Sequence, residues 1–290
     1  LCGRCFCKSI ENKVRRTISK YEMFEPKDKI MVAVSGGKDS VTLLHIMARI
    51  EQAFPNVTLS AVTVDEGIRG YRNEALKVAE EICQKLGVSH VITSFKEMFG
   101  CTLDEIVHLI QNGEEKRLTP CSYCGVLRRR ALNTSAREAG MDKLATAHSL
   151  DDETQTMLLN IIHGDAFRIA RAKPVLTVVH PKLVQRVKPL CEVLEKETAF
   201  YVYQRKIEFQ SIPCPYAQTA LRNDIRTMLN RMDEKHAGIK FAIFRSMEKI
   251  RPALEAMAEE AKLQNCRICG EPTVGKLCKP CQMLQELHLL

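Results

Sequence analysis

Ile30-Met31-Val32-Ala33-Val34-Ser35-Gly36-Gly37-Lys38-Asp39-Ser40 is the stretch that decides the fold. Apolar residues that read as a buried strand run into two consecutive glycines, and Val41, Leu44, Ile46 and Met47 then follow on one face of a helix. In such a strand-turn-helix unit the glycines let the backbone turn tightly and point amides at an anion above the helix N-terminus. A Walker A loop needs G-x-x-x-x-G-K-S/T, whereas here two glycines, a Lys and an Asp are consecutive. A carboxylate beside phosphates is best explained by a Mg²⁺ that it helps to hold, with Lys38 and the cation neutralising charge as pyrophosphate departs. The loop therefore predicts ATP, with Asp39 and Lys38 as catalytic candidates and Ala33, Val34, Ser35, Gly36, Gly37 and Ser40 around the nucleotide. The plainer alternative is an ordinary glycine turn capped by Ser35.

Outward from the loop, Leu59 to Val64 and Val88 to Thr93 read as strands, Asn73 to Leu86 as a helix, and Lys143 to Ala147 leads into a helix from Asp151. Alternation of this kind predicts an α/β fold with a parallel sheet and helices on both faces, ligands collecting where strand ends meet helix N-termini. Helical segments dominate from Val193 to Lys262, and the tail beyond Asn265 is a separate cysteine-rich module. The expected division is 1–25 as the remnant of an N-terminal zinc-binding module with a linker helix, 26–233 as the catalytic domain, 234–264 as a helical linker and 265–290 as a zinc ribbon.

Of the 290 residues 45% are hydrophobic and 27% charged, a globular mixture. No apolar run approaches the roughly 18 to 20 residues that cross a bilayer, and the start lacks the basic-then-apolar order of a signal peptide, so an intracellular, cytoplasmic protein with no membrane partner is expected. Leu1 opens the chain in place of Met, and the expectation is a fragment or processed form. Lys and Arg exceed Asp and Glu by 43 to 35, a surplus that favours a polyanionic partner such as nucleic acid. Arg128 to Arg130, Lys182 to Lys188 and Arg222 to Lys240 are the runs that could follow an RNA backbone through phosphate contacts.

Thirteen cysteines, an odd number grouped in Cys-x-x-Cys pairs, argue for metal or cluster ligation over a disulfide framework. Pro120-Cys121-Ser122-Tyr123-Cys124-Gly125 places two thiolates one helical turn apart, and Cys214, between Pro213 and Pro215, is the candidate third ligand. Three cysteines can anchor a [4Fe-4S] cluster and leave one iron open to bind sulfide. A zinc site with water, a redox pair carrying a persulfide, or merely buried thiols are the competing readings. Cys83 shares a helical face with Leu76, Ala79, Ile82 and Leu86 and reads as core, as do Cys101 and Cys191. Cys266, Cys269, Cys278 and Cys281 form two knuckles with the spacing of a tetrahedral Zn²⁺ site. Cys2 and Cys5 look like half of another such site, with Cys7 as a conceivable third ligand.

Beyond these residues the sequence resembles a known family. Ser35 to Ser40, SGGKDS, is the signature of PP-loop ATP pyrophosphatases, and CSYCGVLRR from Cys121 to Arg129 sharpens the resemblance to the TtcA/TtuA group of tRNA thiolases, most closely its cytoplasmic wobble-uridine 2-thiolation branch. Val64-Asp65-Glu66-Gly67-Ile68 with Gly70-Tyr71-Arg72, His148-Ser149-Leu150-Asp151-Asp152-Glu153 and His163-Gly164-Asp165 match as well, so that the likeness spans most of Lys29 to Ala220. It implies a Rossmann-like PP-loop domain in which Cys121, Cys124 and Cys214 hold a [4Fe-4S] cluster. Asp39, Arg128 and Asp152 would lie at the ATP and reaction site, and Val64 and His148 would border the nucleotide. Some members carry Lys in place of Arg128; an Arg does not donate protons, so an electrostatic role is expected here. Asp151 and Asp152 alone would also suit a plain helix N-terminus, where carboxylates are favoured. The activity implied is ATP-dependent adenylation of a tRNA uridine, position 34 by resemblance, followed by transfer of cluster-bound sulfide. The sulfur would come from free sulfide or a ubiquitin-like carrier, and the protein would be a homodimer. Position-54 uridine or position-32 cytidine as target, cysteine persulfides in place of the cluster, and a non-catalytic zinc-ribbon RNA-binding subunit are the alternatives. The family's upstream cysteine pair would precede Leu1, leaving the Cys2 and Cys5 site incomplete.

Overall fold

A computed structural model describes residues 1–51, 57–112, 118–217, 221–257 and 263–290. Ala220, at the end of the family likeness, and Lys262, at the end of the expected helical run, lie outside the described residues. The chain runs α1 (Gly3–Lys20), β1 (Lys29–Ala33), α2 (Lys38–Glu51), β2 (Thr58–Asp65), α3 (Arg72–Leu86), β3 (Ser89–Ser94), α4 (Phe95–Phe99), α5 (Leu103–Gln111), α6 (Pro120–Glu138), β4 (Lys143–Ala145), α7 (Leu150–Ile162), α8 (Ala166–Arg171), β5 (Gln185–Val187), α9 (Glu195–Arg205), α10 (Leu221–Lys235), α11 (Ile239–Met257), β6 (Gln264–Asn265), β7 (Pro272–Thr273) and α12 (Lys279–Glu286).

Five strands form one sheet in the order β3-β2-β1-β4-β5, every neighbouring pair parallel. The strand order reverses between β1 and β4, and a doubly wound sheet binds its ligand above such a switch point, at the carboxyl ends of the strands. β1 and β2 are buried along almost their whole length, which is why they read as continuous apolar runs. Val41, Leu44, Ile46 and Met47 are buried beneath the sheet with Ile30, Val32 and Leu59, so α2 presents the face its spacing predicted. β5, the short edge strand, carries no sequence signal of its own, being Gln-Arg-Val.

α1 packs on the domain through Cys7, Ile10 and Val14, and Cys7 is core. The tail that composition sets apart shares its packing with α6: Met283, Leu284 and Leu287 of the α12 end are buried in one cluster with Tyr123, Leu127 and Ala131. Burying each such side chain stabilises by about 1.5–3 kcal/mol, so the ribbon is held on α6 by more than its thiols. Cys83, Cys101 and Cys191 are all buried. No helix among the described residues is long and apolar enough to cross a membrane.

Candidate active site

The loop after β1 is shaped by close approach. Gly36 has φ +86°, and a Cβ there would lie 2.4 Å from the backbone oxygen of Ala75 in α3, so no other residue fits. Ser40 Oγ accepts from the Ser35 amide at 3.1 Å and donates to Gly37 O at 2.9 Å, closing the turn on the start of α2. Arg72 ties the loop to the sheet. It is almost fully buried, its Nη1 donates to Ser35 O at 2.9 Å, its Nε donates to Val64 O at 3.1 Å, and it pairs with Glu66 at 2.7 Å.

A cavity of about 350 Å³ opens above this loop at the switch point. Of the sequence candidates, Ala33, Val34, Ser35, Gly37, Asp39, Ser40, Val64, Arg128, His148 and Asp152 all line it. Gly36 is turned into α3, and Lys38 reaches sideways to Asp39 Oδ2 at 2.9 Å and Glu195 Oε1 at 2.7 Å. Thr198 Oγ1 donates to Asp39 Oδ1. Burial pushes the Asp39 carboxyl above the ordinary range, against Lys38 and Thr198, which favour its charged form. Burial also works against the Lys38 ammonium, yet Asp39 and Glu195 together hold its pKa above the usual lysine value.

Glu195, Thr198, Glu66 and Arg72 are functional neighbours to which sequence reasoning assigned no role. Glu66 and Arg72 lie within a matched motif, but Glu195 and Thr198 stand some 157 and 159 residues from their partners and carry no local signal.

Asp152 does two things at once. Its Oδ2 accepts from the Ser149 amide and hydroxyl, both at 3.0 Å, capping α7, while its Oδ1 lies 3.7 Å from Arg222. Asp151 next to it is structural: Lys240 Nζ donates to it at 2.5 Å with both groups buried, and its other oxygen accepts from the amide of Glu195 at 2.7 Å. That pair fixes the start of α9, and with it the carboxylate that holds Lys38. His148 opens on the cavity, its Nδ1 2.9 Å from Thr146 Oγ1. Surrounding protein desolvates the ring, Lys188 opposes a second charge, and the imidazole pKa is lowered.

The internal cysteines meet this cavity through α6. Arg128 lies on its wall, pairs with the buried Glu66 at 2.7 Å and donates from Nη2 to Cys124 Sγ at 3.1 Å. Burial pushes Cys124 up to about 11, with Arg128 opposing and Cys214 contributing, and Cys121 is likewise raised first by burial and then by Cys214. Cys214 packs against the cluster that buries Cys124. Its loop is fixed over the start of α6, since Cys121 Sγ lies 3.5 Å from Tyr216 O and Tyr216 donates to Asp104 at 2.7 Å. Cys214 is thus near enough for its charge to act on both Cys121 and Cys124, with Arg128 beside Cys124. The three thiols do not meet single-ion spacing; among the described residues only the terminal four do. A multi-iron cluster holds its cysteines farther apart than one ion does, and the nearby guanidinium offsets thiolate charge, so this donor set suits a [4Fe-4S] group.

Cys266, Cys269, Cys278 and Cys281 have their sulfurs all within 4.8 Å of one another. Zn–S bonds of about 2.3 Å in a tetrahedron put sulfurs roughly 3.8 Å apart, and Cys269 and Cys278 stand at 3.5 Å. Burial disfavours the Cys266 thiolate, but amides of Cys269, Cys278 and Ile268 aimed at the sulfur bring its pKa down to about 6. Arg130 donates to Cys269 and Cys278 sulfurs at 3.1 and 3.3 Å. The arrangement fits a four-thiolate Zn²⁺ site. Cys2 and Cys5 are exposed at the start of α1 and have no further ligand-type group beside them among the described residues.

A profile described as the PP-loop domain matches residues 8–232. A probable sulfurtransferase of Methanocaldococcus jannaschii is 36% identical over 99% of this chain and 82% of its own length. The tRNA-5-methyluridine(54) 2-sulfurtransferase of Pyrococcus horikoshii is 33% identical over 97% of this chain and 86% of its own. Among solved structures, the U34-tRNA thiolase NcsA of Methanococcus maripaludis with its [4Fe-4S] cluster superposes with a TM-score of 0.84, at 33% identity over 99% of this chain and 90% of that one.

Proposed function

The chain belongs to the PP-loop family, and from that premise we propose that it is an adenylating tRNA-uridine 2-sulfurtransferase. O2 of the uridine attacks the α-phosphate of ATP, pyrophosphate leaves, and sulfide then displaces AMP from the activated C2. The observation that carries this reading is the position of Arg128, whose single guanidinium lines the nucleotide cavity and touches Cys124. Activated base and sulfur therefore have a shared wall on which to meet.

The glycine turn at the start of α2 receives the phosphates, and Lys38 exchanges a carboxylate partner for the departing pyrophosphate. Asp39 and Asp152 face the same cavity and are the carboxylates that would hold Mg²⁺. Arg128, kept in place by Glu66, stabilises negative charge as the base is activated. Cys121, Cys124 and Cys214 would hold a [4Fe-4S] cluster, which would supply an iron able to carry sulfide. Zn²⁺ on the four terminal thiols keeps the ribbon folded.

Position 34 is the proposed target, supported by the likeness to a U34 thiolase, and position 54 is the alternative because a 33% identical relative bears that name. A cytoplasmic homodimer fed by free sulfide or a ubiquitin-like carrier completes the reading. The test is mass spectrometry of nucleosides from tRNA incubated with anaerobically reconstituted protein, ATP and sulfide, with mapping of the modified position. Thiouridine formation that depends on ATP and on Asp39 is the expected result. An iron-free preparation that thiolates equally well would transfer the sulfur step to cysteine persulfides, and activity untouched by Asp39→Ala would end the adenylation reading.

A further inference from the structure

Arg226, Arg231 and Lys235 are exposed on α10, but several other side chains of the basic runs are already engaged within the protein. Lys182 donates to Gly270 O at 2.7 Å, Lys188 pairs with Glu153 at 2.8 Å, Lys240 with Asp151, and Arg128 with Glu66. Arg130 and Arg137 share Glu271. Apart from Arg128, which faces the nucleotide cavity, these side chains are engaged within the protein.

Three arginines behave differently. Arg129 of α6, Arg168 of α8 and Arg186 of β5 converge on a cleft of about 850 Å³ whose far wall is the ribbon, through Thr273 and Lys279. Among the described residues no carboxylate lies within ion-pair distance of Arg129 or Arg186, and Arg168 has only Asp165, three residues earlier at 3.0 Å. Glu271, the one acid lining the cleft among the described residues, is already taken by Arg130 and Arg137. Desolvation, then the charge of Arg168, lowers the Arg129 pKa; desolvation, then Arg129, lowers Arg186 to about 10. Guanidinium groups left to repel one another are relieved by an anion, and their planar forks match phosphate oxygens.

The cleft also lies where a substrate strand is needed. Arg128 and Leu132 of α6 line the nucleotide cavity, while Ser122, Val126, Arg129 and Asn133 of the same helix line the cleft. One helix, about 10 Å across, separates them.

We propose that Arg129, Arg168 and Arg186 form the site that grips the phosphodiester backbone of the tRNA, laying its strand across α6 from the ATP cavity. This rests on the tRNA thiolase reading. Planar guanidinium forks match phosphate oxygens, and the substrate of that reading is itself a phosphodiester chain that must reach the cavity across α6, so RNA is the occupant the cleft favours.

The test is tRNA affinity of the full chain, by fluorescence anisotropy, across a KCl series. The variants are wild type, the triple Arg129→Gln/Arg168→Gln/Arg186→Gln, Arg168→Gln alone, and Lys77→Gln on exposed α3 as a charge-matched control. Each single-strand phosphate contact adds about 0.7 to the slope of log K against log salt, so the triple variant loses about 2 from the slope and at least about tenfold in affinity. Arg168→Gln, on an exposed helix face where folding is not at stake, loses about 0.7, and Lys77→Gln loses nothing. Unchanged slopes in the triple variant and in Arg168→Gln overturn the inference while the thiolase reading stands. Intact tRNA binding with loss of an acidic carrier protein overturns it too, giving the cleft to that protein. Wild type that binds no tRNA brings down the reading and the inference together.

Discussion

The two sulfur sites of this molecule are built on opposite plans. Cys266 to Cys281 supply four thiols from one short segment whose knuckle turns aim their own amides at the sulfurs, and those sulfurs stand at single-ion spacing. Cys121 and Cys124 sit on α6, whereas Cys214 arrives on a distant loop held by Tyr216 and Asp104, and the trio stays open. A local site assembles with its segment; a dispersed one exists only when the whole domain has folded, and it can border a second ligand. Both lean on α6, which directs Arg128 to Cys124 and, two residues on, Arg130 to the terminal thiols. The difference predicts that the terminal site governs stability and the internal site governs chemistry.

The most severe way to break that contrast is Cys124→Ser. Thiolation is expected to fall at least about 10³-fold, some 4 kcal/mol of transition-state stabilisation, with zinc content and melting temperature nearly unchanged. A large stability loss with residual activity would invert the assignment. Stripping Zn²⁺ from the terminal thiols is the complementary case. A stability loss of about 3 kcal/mol, or a melting point lower by roughly 6–12 °C, is expected by calorimetry, with proteolysis opening in 265–290 and iron content preserved. Iron lost in parallel would show that the two sites are one unit through α6.

Glu66→Gln sharpens the contrast at the point where cavity and thiols touch. Glu66 is almost fully buried between Arg72 and Arg128, at 2.7 Å from each. Removing its charge leaves two guanidinium groups facing each other without a counter-ion. Steady-state kinetics should show kcat lower by about thirtyfold, near 2 kcal/mol, because Arg128 no longer holds its place, with a smaller change in the KM for ATP. Glu66→Asp should recover part of it. An effect confined to KM would make Arg128 a nucleotide ligand alone.

How much of this was legible depends on distance along the chain. The loop from Ser35 to Ser40 and the terminal knuckles announce themselves because their geometry is set largely by neighbours in sequence, with Gly36 against α3 and Arg72 on Ser35 O as outside demands. The sheet followed from the apolar runs of β1 and β2. Glu195 and Thr198 were invisible because an ordinary helix start becomes part of the site only when α9 crosses the loop. Basic runs misled in the same way. Charge says nothing about direction, and Lys188 and Lys240 prove to be buried partners of Glu153 and Asp151, while Arg129 and Arg186 of the same runs have no carboxylate partner among the described residues and meet Arg168 only in the fold.

Acid provides the mildest test, because His45 lies apart from both sulfur sites and its variant isolates the folding contribution. His45 of α2 is packed against α1 and α9, where Tyr201 donates to Glu11 at 2.9 Å and its oxygen is left to accept from His45 Nδ1 at 2.9 Å. Burial first, then Arg205 and Arg49, lowers the His45 pKa from 6.5 to about 4, with Glu11 opposing. The unfolded chain therefore binds more protons than the folded one between those values, and stability must rise with pH across that window and fall as acid is added. Discounted for partial solvent access, the loss by pH 5 is about 1 kcal/mol, or roughly 2–4 °C in melting temperature. His45→Gln keeps a donor for Tyr201 and carries no titrating group, so its melting curve should be flatter over this range. If the thiolation-pH profile flattens with it, the acid limb of activity reports folding; if the profile is unmoved, that limb belongs to the nucleotide cavity, where burial raises the Asp39 carboxyl.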